Sequence, residues 1–284
     1  MSFLPDHILH HLRMAADRPD FSGTRYELEE EIGRGGMGVV YRARDTLLDR
    51  DVALKIVSTE ASEAVLLARL EHPAIVPVYD AGILPDGRHY YAMRLVRGQR
   101  LDQFLPREGG LTARLRVFLR VCDAVAFAHS RSVIHRDLKP QNIMIGEFGE
   151  VFVLDWGIAQ AAAAETRGVA GTPRYMPPDA AQENGHRFDV FSLGRVLEDI
   201  AGPAAPPPLA AIAARAAAAD PSQRYGSVTD LAADVTRYLD RLPVTAYRES
   251  PMERLRRFGA RNQVLLLLLA AYLAVKFALF FFRR

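Results

Sequence analysis

The chain has 284 residues, 49% of them hydrophobic and 25% charged, with a formal net charge of +2. That size and balance suit two domains, or one two-lobed unit with appendages, and so small a net charge gives no general attraction for nucleic acid. The single cysteine, Cys122, excludes an intramolecular disulfide; Val121 and Val125 beside it suggest a buried helical thiol in a reducing, cytoplasmic compartment, and nothing offers a zinc site.

Residues 1 to 24 carry Ile8, Leu9 and Leu12 at helical spacing between solvated histidines, which predicts a short amphipathic helix and no signal peptide. From Tyr26 the pattern becomes strand, glycine turn, strand: Tyr26 to Ile32, then Gly33-Arg34-Gly35-Gly36-Met37-Gly38, then Val39 to Ala43. Glycines at 33, 35, 36 and 38 let backbone N–H groups approach phosphate oxygens. A dinucleotide-binding turn would lead into a helix, whereas this one leads into the β-branched Val39-Val40-Tyr41. Val52-Ala53-Leu54-Lys55 is a strand with one inward lysine, followed by a helix predicted over about 60 to 70, capped near Thr59, with Glu63, Leu66, Leu67 and Leu70 on one face. A hairpin spans Val76 to Leu84 and His89 to Leu95 around Pro85-Asp86-Gly87. Helices are predicted over Leu101 to Leu105 and Leu111 to His129, the latter with Leu115, Phe118, Leu119, Cys122, Val125 and Ala126 inward.

The stretch around which the chain is organised is His135-Arg136-Asp137-Leu138-Lys139-Pro140-Gln141-Asn142, followed by a short hairpin and by Asp155-Trp156-Gly157. Asp137 with Lys139 and Asn142 suits acceptance of a hydroxyl proton, countering of phosphate charge and metal holding; Asp155 is a hard oxygen ligand of the kind Mg²⁺ takes. These motifs resemble the catalytic loop and metal-binding motif of the protein kinases, and Gly-Gly-Met-Gly-Val-Val-Tyr is most similar to the bacterial membrane-bound Ser/Thr kinases. The resemblance covers residues 26 to about 242. It implies an α+β, two-lobed kinase fold, with an N-lobe over 25–96 and a C-lobe over 97–242, and transfer of the γ-phosphate of ATP to Ser or Thr hydroxyls of proteins.

The same resemblance assigns roles. Lys55 holds the phosphates and is itself held by Glu63, Asp137 accepts the hydroxyl proton, Lys139 offsets phosphoryl charge, and Asn142 with Asp155 holds Mg²⁺. Val40, Ala53 and Met144 sandwich adenine, Met93 stands at the back of that pocket, and Leu95 belongs to the hinge between Arg94 and Val96. Leu67, His135 and Trp156 match the regulatory column. Arg97 reverses a charge that is often acidic in relatives. Thr166 is the candidate activation-segment phosphate acceptor, Thr172 a contact of Asp137 and Lys139, and Asp179 the partner of Arg224. The alternative is a nucleotide-binding scaffold without transfer, suggested by the short segment Ile56 to Ser62 before Glu63 and by tryptophan in the metal motif.

Beyond the catalytic region, residues 201–208 are an extended linker by composition, and helices are predicted over Leu209 to Ala219 and Val228 to Leu242. Residues 243–262 form a basic juxtamembrane segment in which Ser250-Pro251-Met252-Glu253 is a capping box, so a helix starts at 251. Arg254, Arg256, Arg257 and Arg261 give it a basic face for anionic headgroups. Val264 to Phe282 is apolar enough for a single transmembrane helix, residues 263–282, with Lys276 able to snorkel toward Arg283 and Arg284. The expected location is the inner membrane with the catalytic part cytoplasmic and no extracytoplasmic sensor. Transient self-association there would serve autophosphorylation.

Overall fold

The computed structural model describes residues 19–35, 38–57, 62–105, 110–156, 172–180 and 185–282. The expected N-terminal helix, the cap near Thr59, the tip of the glycine turn at Gly36 and Met37, Thr166, Arg283 and Arg284 lie outside these residues. Two compact units are formed, one from residues 1–108 and 123–173, the other from 109–122 and 174–284.

The first unit is built on a five-stranded antiparallel sheet in the order β1-β2-β3-β5-β4, with β1 Tyr26–Gly35, β2 Gly38–Asp45, β3 Arg50–Val57, β4 Val78–Ile83 and β5 His89–Arg94. β3 is buried from Val52 to Val57, as expected of a central strand rich in β-branched residues, and Lys55 shares that burial. On one face of the sheet Phe21, Tyr26, Ala43, Val52, Leu54, Ile56 and Tyr90 form a cluster in which Phe21 meets Tyr90 edge to face at 5.0 Å. Phe21 therefore belongs to the core, although it precedes the first strand.

The helix after β3, α1, runs only over Ser62–Leu67 and not to residue 70. It gives way to a turn in which the Leu70 N–H donates to Leu67 O, and this turn buries Leu70 beside Leu67 without a further helical turn. β6 Gly98–Arg100, α2 Leu101–Phe104, β7 Ile143–Gly146 and β8 Val151–Val153 follow. The last two form the expected hairpin, and β6 adds a third strand with no sequence forewarning. Gly98, at φ 152°, is required there, because a Cβ would stand 2.0 Å from Ile145 O on β7.

Helix α3, Leu111–Ser130, passes through both units. Its buried side is set by Leu115, Phe118, Val121, Cys122, Ala124, Val125 and Ala128. Leu119 and Ala126, expected inside, are only half-buried, because the inward face is centred on Val121 and Ala128.

In the second unit α4 Arg187–Ala201, α5 Pro207–Ala216 and α6 Val228–Leu239 pack together. α5 begins two residues earlier than expected, since prolines fit the first turn of a helix, and α6 stops three residues earlier. The Arg224 guanidinium is fully buried and bonds to Asp179 and to the carbonyls of Ala218 and Ala219, which places the expected ion pair in this unit. α7 Pro251–Arg261 starts at the capping box, and α8 Gln263–Phe282 follows after Asn262. In α8 side chains are described for 267–279 and Phe282, all exposed. Over the described residues alone, no helix is long and apolar enough to cross a membrane.

Candidate active site

β3 delivers Lys55 to the site. Pairing sets Lys55 between Val40 on β2 and Tyr91 on β5, so that the side chain is 2% exposed, and its Nζ donates to Asp155 Oδ1 at 3.0 Å. The sequence reading paired Lys55 with Glu63. Glu63 lies on α1, but its side chain is outside the described set. The partnership with Asp155 spans 100 residues of chain, and no local pattern announces it.

The loop carrying Asp137 is held by His135. The Asp137 N–H donates to His135 Nδ1 at 3.3 Å, so Nδ1 is the acceptor and the other nitrogen, Nε2, carries the hydrogen toward Leu154 O at 2.9 Å. The Leu154 N–H in turn donates to Asn142 O at 2.8 Å, and the His135 and Trp156 rings lie 4.8 Å apart. This web fastens the loop carrying Asp137 to the strand end carrying Asp155. Arg136 and Asp155 both adopt left-handed backbone, φ 65° and 51°. For residues with a Cβ this costs on the order of 1 kcal/mol or more each, offset by the surrounding bonds.

Around Asp137 the arrangement is lopsided. Lys139 Nζ donates to Oδ2 at 2.7 Å and Asn142 Nδ2 donates to the same oxygen at 3.0 Å, as well as to Asp137 O at 2.8 Å. Oδ1 has no partner among the described residues. It is a carboxylate oxygen oriented by its neighbours and free to accept a proton. Because Asn142 spends its amide nitrogen on Asp137, its side-chain oxygen has no partner among the described residues, and neither has Asp155 Oδ2. Amide and carboxylate oxygens are hard donors of the kind Mg²⁺ takes. Among the described residues no group of three or more His, Cys, Asp or Glu could hold a metal.

Apolar residues expected around adenine keep some surface: Val40, Met93, Leu95 and Met144 are half-buried, and Ala53 is buried. Gly38 sits at φ 131° with Ile56 O only 2.1 Å from where a Cβ would be, so no other residue fits; a Cβ at Gly33 would meet the Val40 side chain at 3.9 Å, and Gly35 faces open space. A separate cavity of about 380 Å³, lined by Arg44, Asp51, Arg94, Arg97, Glu147 and Phe148 among others, touches Leu95 but none of the phosphate or metal residues. Its charges neutralise one another, Arg97 on Asp51 at 2.6 Å and Arg94 on Glu150 at 3.1 Å, which makes it a poor polyphosphate site. Arg97 thus faces the start of β3. Thr172 is exposed and bonds neither to Asp137 nor to Lys139 among the described residues.

Comparison with known proteins agrees with this geometry. The profile of the family described as "Protein kinase domain" matches residues 26–213. The chain is 39% identical over 210 residues to serine/threonine-protein kinase PknB of Mycobacterium tuberculosis (strain ATCC 25618 / H37Rv), covering 64% of this chain and 33% of that protein. It is 36% identical over 268 residues to PknB of Mycolicibacterium smegmatis, covering 83% and 41%, and 34% identical over 220 residues to PknD of Protochlamydia amoebophila, covering 61% and 22%. The chain therefore spans less than half the length of these relatives. A sheet-rich N-terminal part followed by a helical C-terminal part fits the two-lobed kinase fold.

Proposed function

The chain belongs to the protein kinase family, which uses ATP and Mg²⁺, and on that premise we propose that it transfers the γ-phosphate of ATP to Ser and Thr hydroxyls of proteins. The single observation that carries this reading is Asp137, with one oxygen held by Lys139 and Asn142 and the other open among the described residues. A hydroxyl hydrogen-bonded to Oδ1 is aligned for attack, and Asp137 takes its proton as the new oxygen–phosphorus bond forms and the bond from the γ-phosphorus to the β-phosphate oxygen breaks, with ADP as the leaving group. Lys139, next to the carboxylate, is placed to offset negative charge on the phosphoryl oxygens. Lys55 is placed to hold the α- and β-phosphates, and it exchanges part of its bond to Asp155 for them when nucleotide enters. Asn142 and Asp155 would hold Mg²⁺, which supplies charge neutralisation of the phosphates when bound. Gly33, Gly35, Gly36 and Gly38 serve the phosphates, and Val40, Ala53, Met93, Leu95 and Met144 the base. The test is transfer of labelled γ-phosphate to a Ser/Thr protein substrate by the wild type and by Asp137→Asn. Loss of transfer with nucleotide binding retained supports the reading, and an unchanged rate overturns it.

The same proposal extends to a membrane anchor. α8 is 20 residues long, about 30 Å at 1.5 Å per residue, the thickness of a hydrocarbon core. Its only charge is Lys276, and of the residues without described side chains Gln263 is polar while Val264 to Leu266, Phe280 and Phe281 are apolar in sequence. Exposed side chains from Leu267 to Leu279 have no protein to cover them among the described residues. The catalytic part then lies on the cytoplasmic side, where ATP is, and crowding in the membrane plane favours transient self-association and autophosphorylation, with Thr166 as acceptor. Protease added outside intact cells should leave residues 1–250 uncut.

A further inference from the structure

Helix α7 is fastened at its start and bare along one side. Ser250 Oγ accepts from the Glu253 N–H, and the Glu253 carboxylate accepts from the Ser250 N–H at 2.7 Å and from the Tyr247 hydroxyl at 2.8 Å. One turn later the Arg257 guanidinium grips Glu249 with two bonds of 2.8 Å. The segment so bound continues directly from Thr245 and Ala246, whose N–H groups Asp234 of α6 accepts at 2.9 and 3.1 Å. The helix is therefore held to the second unit through a chain of hydrogen bonds. Met252, Leu255 and Phe258 nevertheless stand 74%, 66% and 56% exposed. At i, i+3 and i+6, with about 100° per residue, they occupy one arc of about 120°. Arg254 is exposed beside them, and a groove of about 650 Å³ runs between Pro251, Arg254, Leu255, Arg257, Phe258 and Asn262.

Three large apolar side chains in one arc of an 11-residue helix mark a surface that something covers. A second copy of the same face would bring Arg254 toward its own counterpart, which disfavours self-pairing. A bilayer of anionic lipid meets both requirements at once, acyl chains for the apolar arc and phosphates for the guanidinium. Continuity argues the same way, because Asn262 alone separates α7 from α8.

We propose that α7 lies in the plane of an anionic lipid surface, with Met252, Leu255 and Phe258 inserted below the headgroups and Arg254 on the phosphates; this rests on the reading of α8 as a membrane anchor. The clamped connector makes α7 a fixed foot for the second unit and not a loose hinge. The experiment uses the full chain reconstituted in vesicles of phosphatidylcholine with phosphatidylserine. An environment-sensitive dye is attached at Leu255→Cys or, as reference, at Leu47→Cys in the exposed turn after β2; native Cys122 is buried and does not compete. Acrylamide should quench the dye at 255 at least about threefold less than the dye at 47, with a blue-shifted emission, and adding Arg254→Glu should erase most of that difference. Equal quenching at both positions, in a chain that resists alkaline extraction from the vesicles, overturns the inference and leaves the anchor standing. Release of the chain at alkaline pH overturns both. Protection accompanied by energy transfer between labelled chains, and persisting in detergent, assigns the face to a second copy and overturns the inference.

Discussion

Asp137 takes its side-chain hydrogen bonds from residues two and five positions on, Asp234 from residues up to twelve positions away, and the two carboxylates are put to opposite uses. Asp137 takes its side-chain partners, Lys139 and Asn142, on Oδ2, with Oδ1 left open among the described residues. Asp234 is saturated: its oxygens accept from the Thr245 and Ala246 N–H groups, the Thr245 and Tyr225 hydroxyls and Arg237. Left-handed backbone stands beside both, at Arg136 and Asp155 around the first site and at Arg241 in the connector that Asp234 grips. A carboxylate with spare acceptor capacity can exchange partners during a reaction. One whose lone pairs are all used fixes geometry, and removal leaves its donors unsatisfied.

The sharpest way to break this contrast is Asp137→Asn. It removes the open acceptor and should lower phosphoryl transfer by about 10² to 10⁴-fold, the range for general-base removal, while the thermal midpoint stays within a few degrees. A steady-state kinase assay beside a melting curve checks both halves.

Asp234→Ala should do the reverse. It strands the buried Tyr225 hydroxyl and the Thr245 and Ala246 N–H groups, for a loss of about 3 kcal/mol in urea unfolding, while transfer per folded molecule remains near wild type. Stability unchanged by this substitution would remove the clamp from the comparison.

The charge on Asp234 can also be titrated. Burial pushes its pKa up, but hydrogen bonds from Thr245, Tyr225 and Ala246 together outweigh burial and hold it below the ordinary 3.8. A depressed native pKa stabilises the fold fully above the unfolded value and loses that contribution as pH falls through the native value. The stability difference between wild type and Asp234→Asn should be flat from about pH 7 to 5 and shrink below about pH 4. Tyr225, pushed up first by burial and then by its bond to Asp234, stays protonated throughout.

Thr245→Val is the mildest probe. It deletes the hydroxyl that donates to Asp234 and accepts from Arg215 while keeping the backbone bonds, and should cost about 1 kcal/mol. Hydrogen exchange at the Ala246 amide would report the loosened connector.

Local chemistry decided much of this protein in sequence. The first five strands follow from alternation and turn residues around Pro85-Asp86-Gly87 and the glycine loop, α7 from the Ser250-Glu253 box, and the residues of the site from the spacing of Asp137, Lys139, Asn142 and Asp155. These features act within a few residues, where backbone preference and side-chain reach are readable directly. Only the tertiary structure decided that Lys55 meets Asp155 across 100 residues, that Gly98–Arg100 becomes a strand, that α1 ends at Leu67 and that Asp234 seizes the connector 11 residues on. Each depends on a partner supplied by another element: a three-residue strand has no periodicity of its own and exists because β7 completes its hydrogen bonds, and a buried charge takes whichever opposite charge or donor the packing brings within reach.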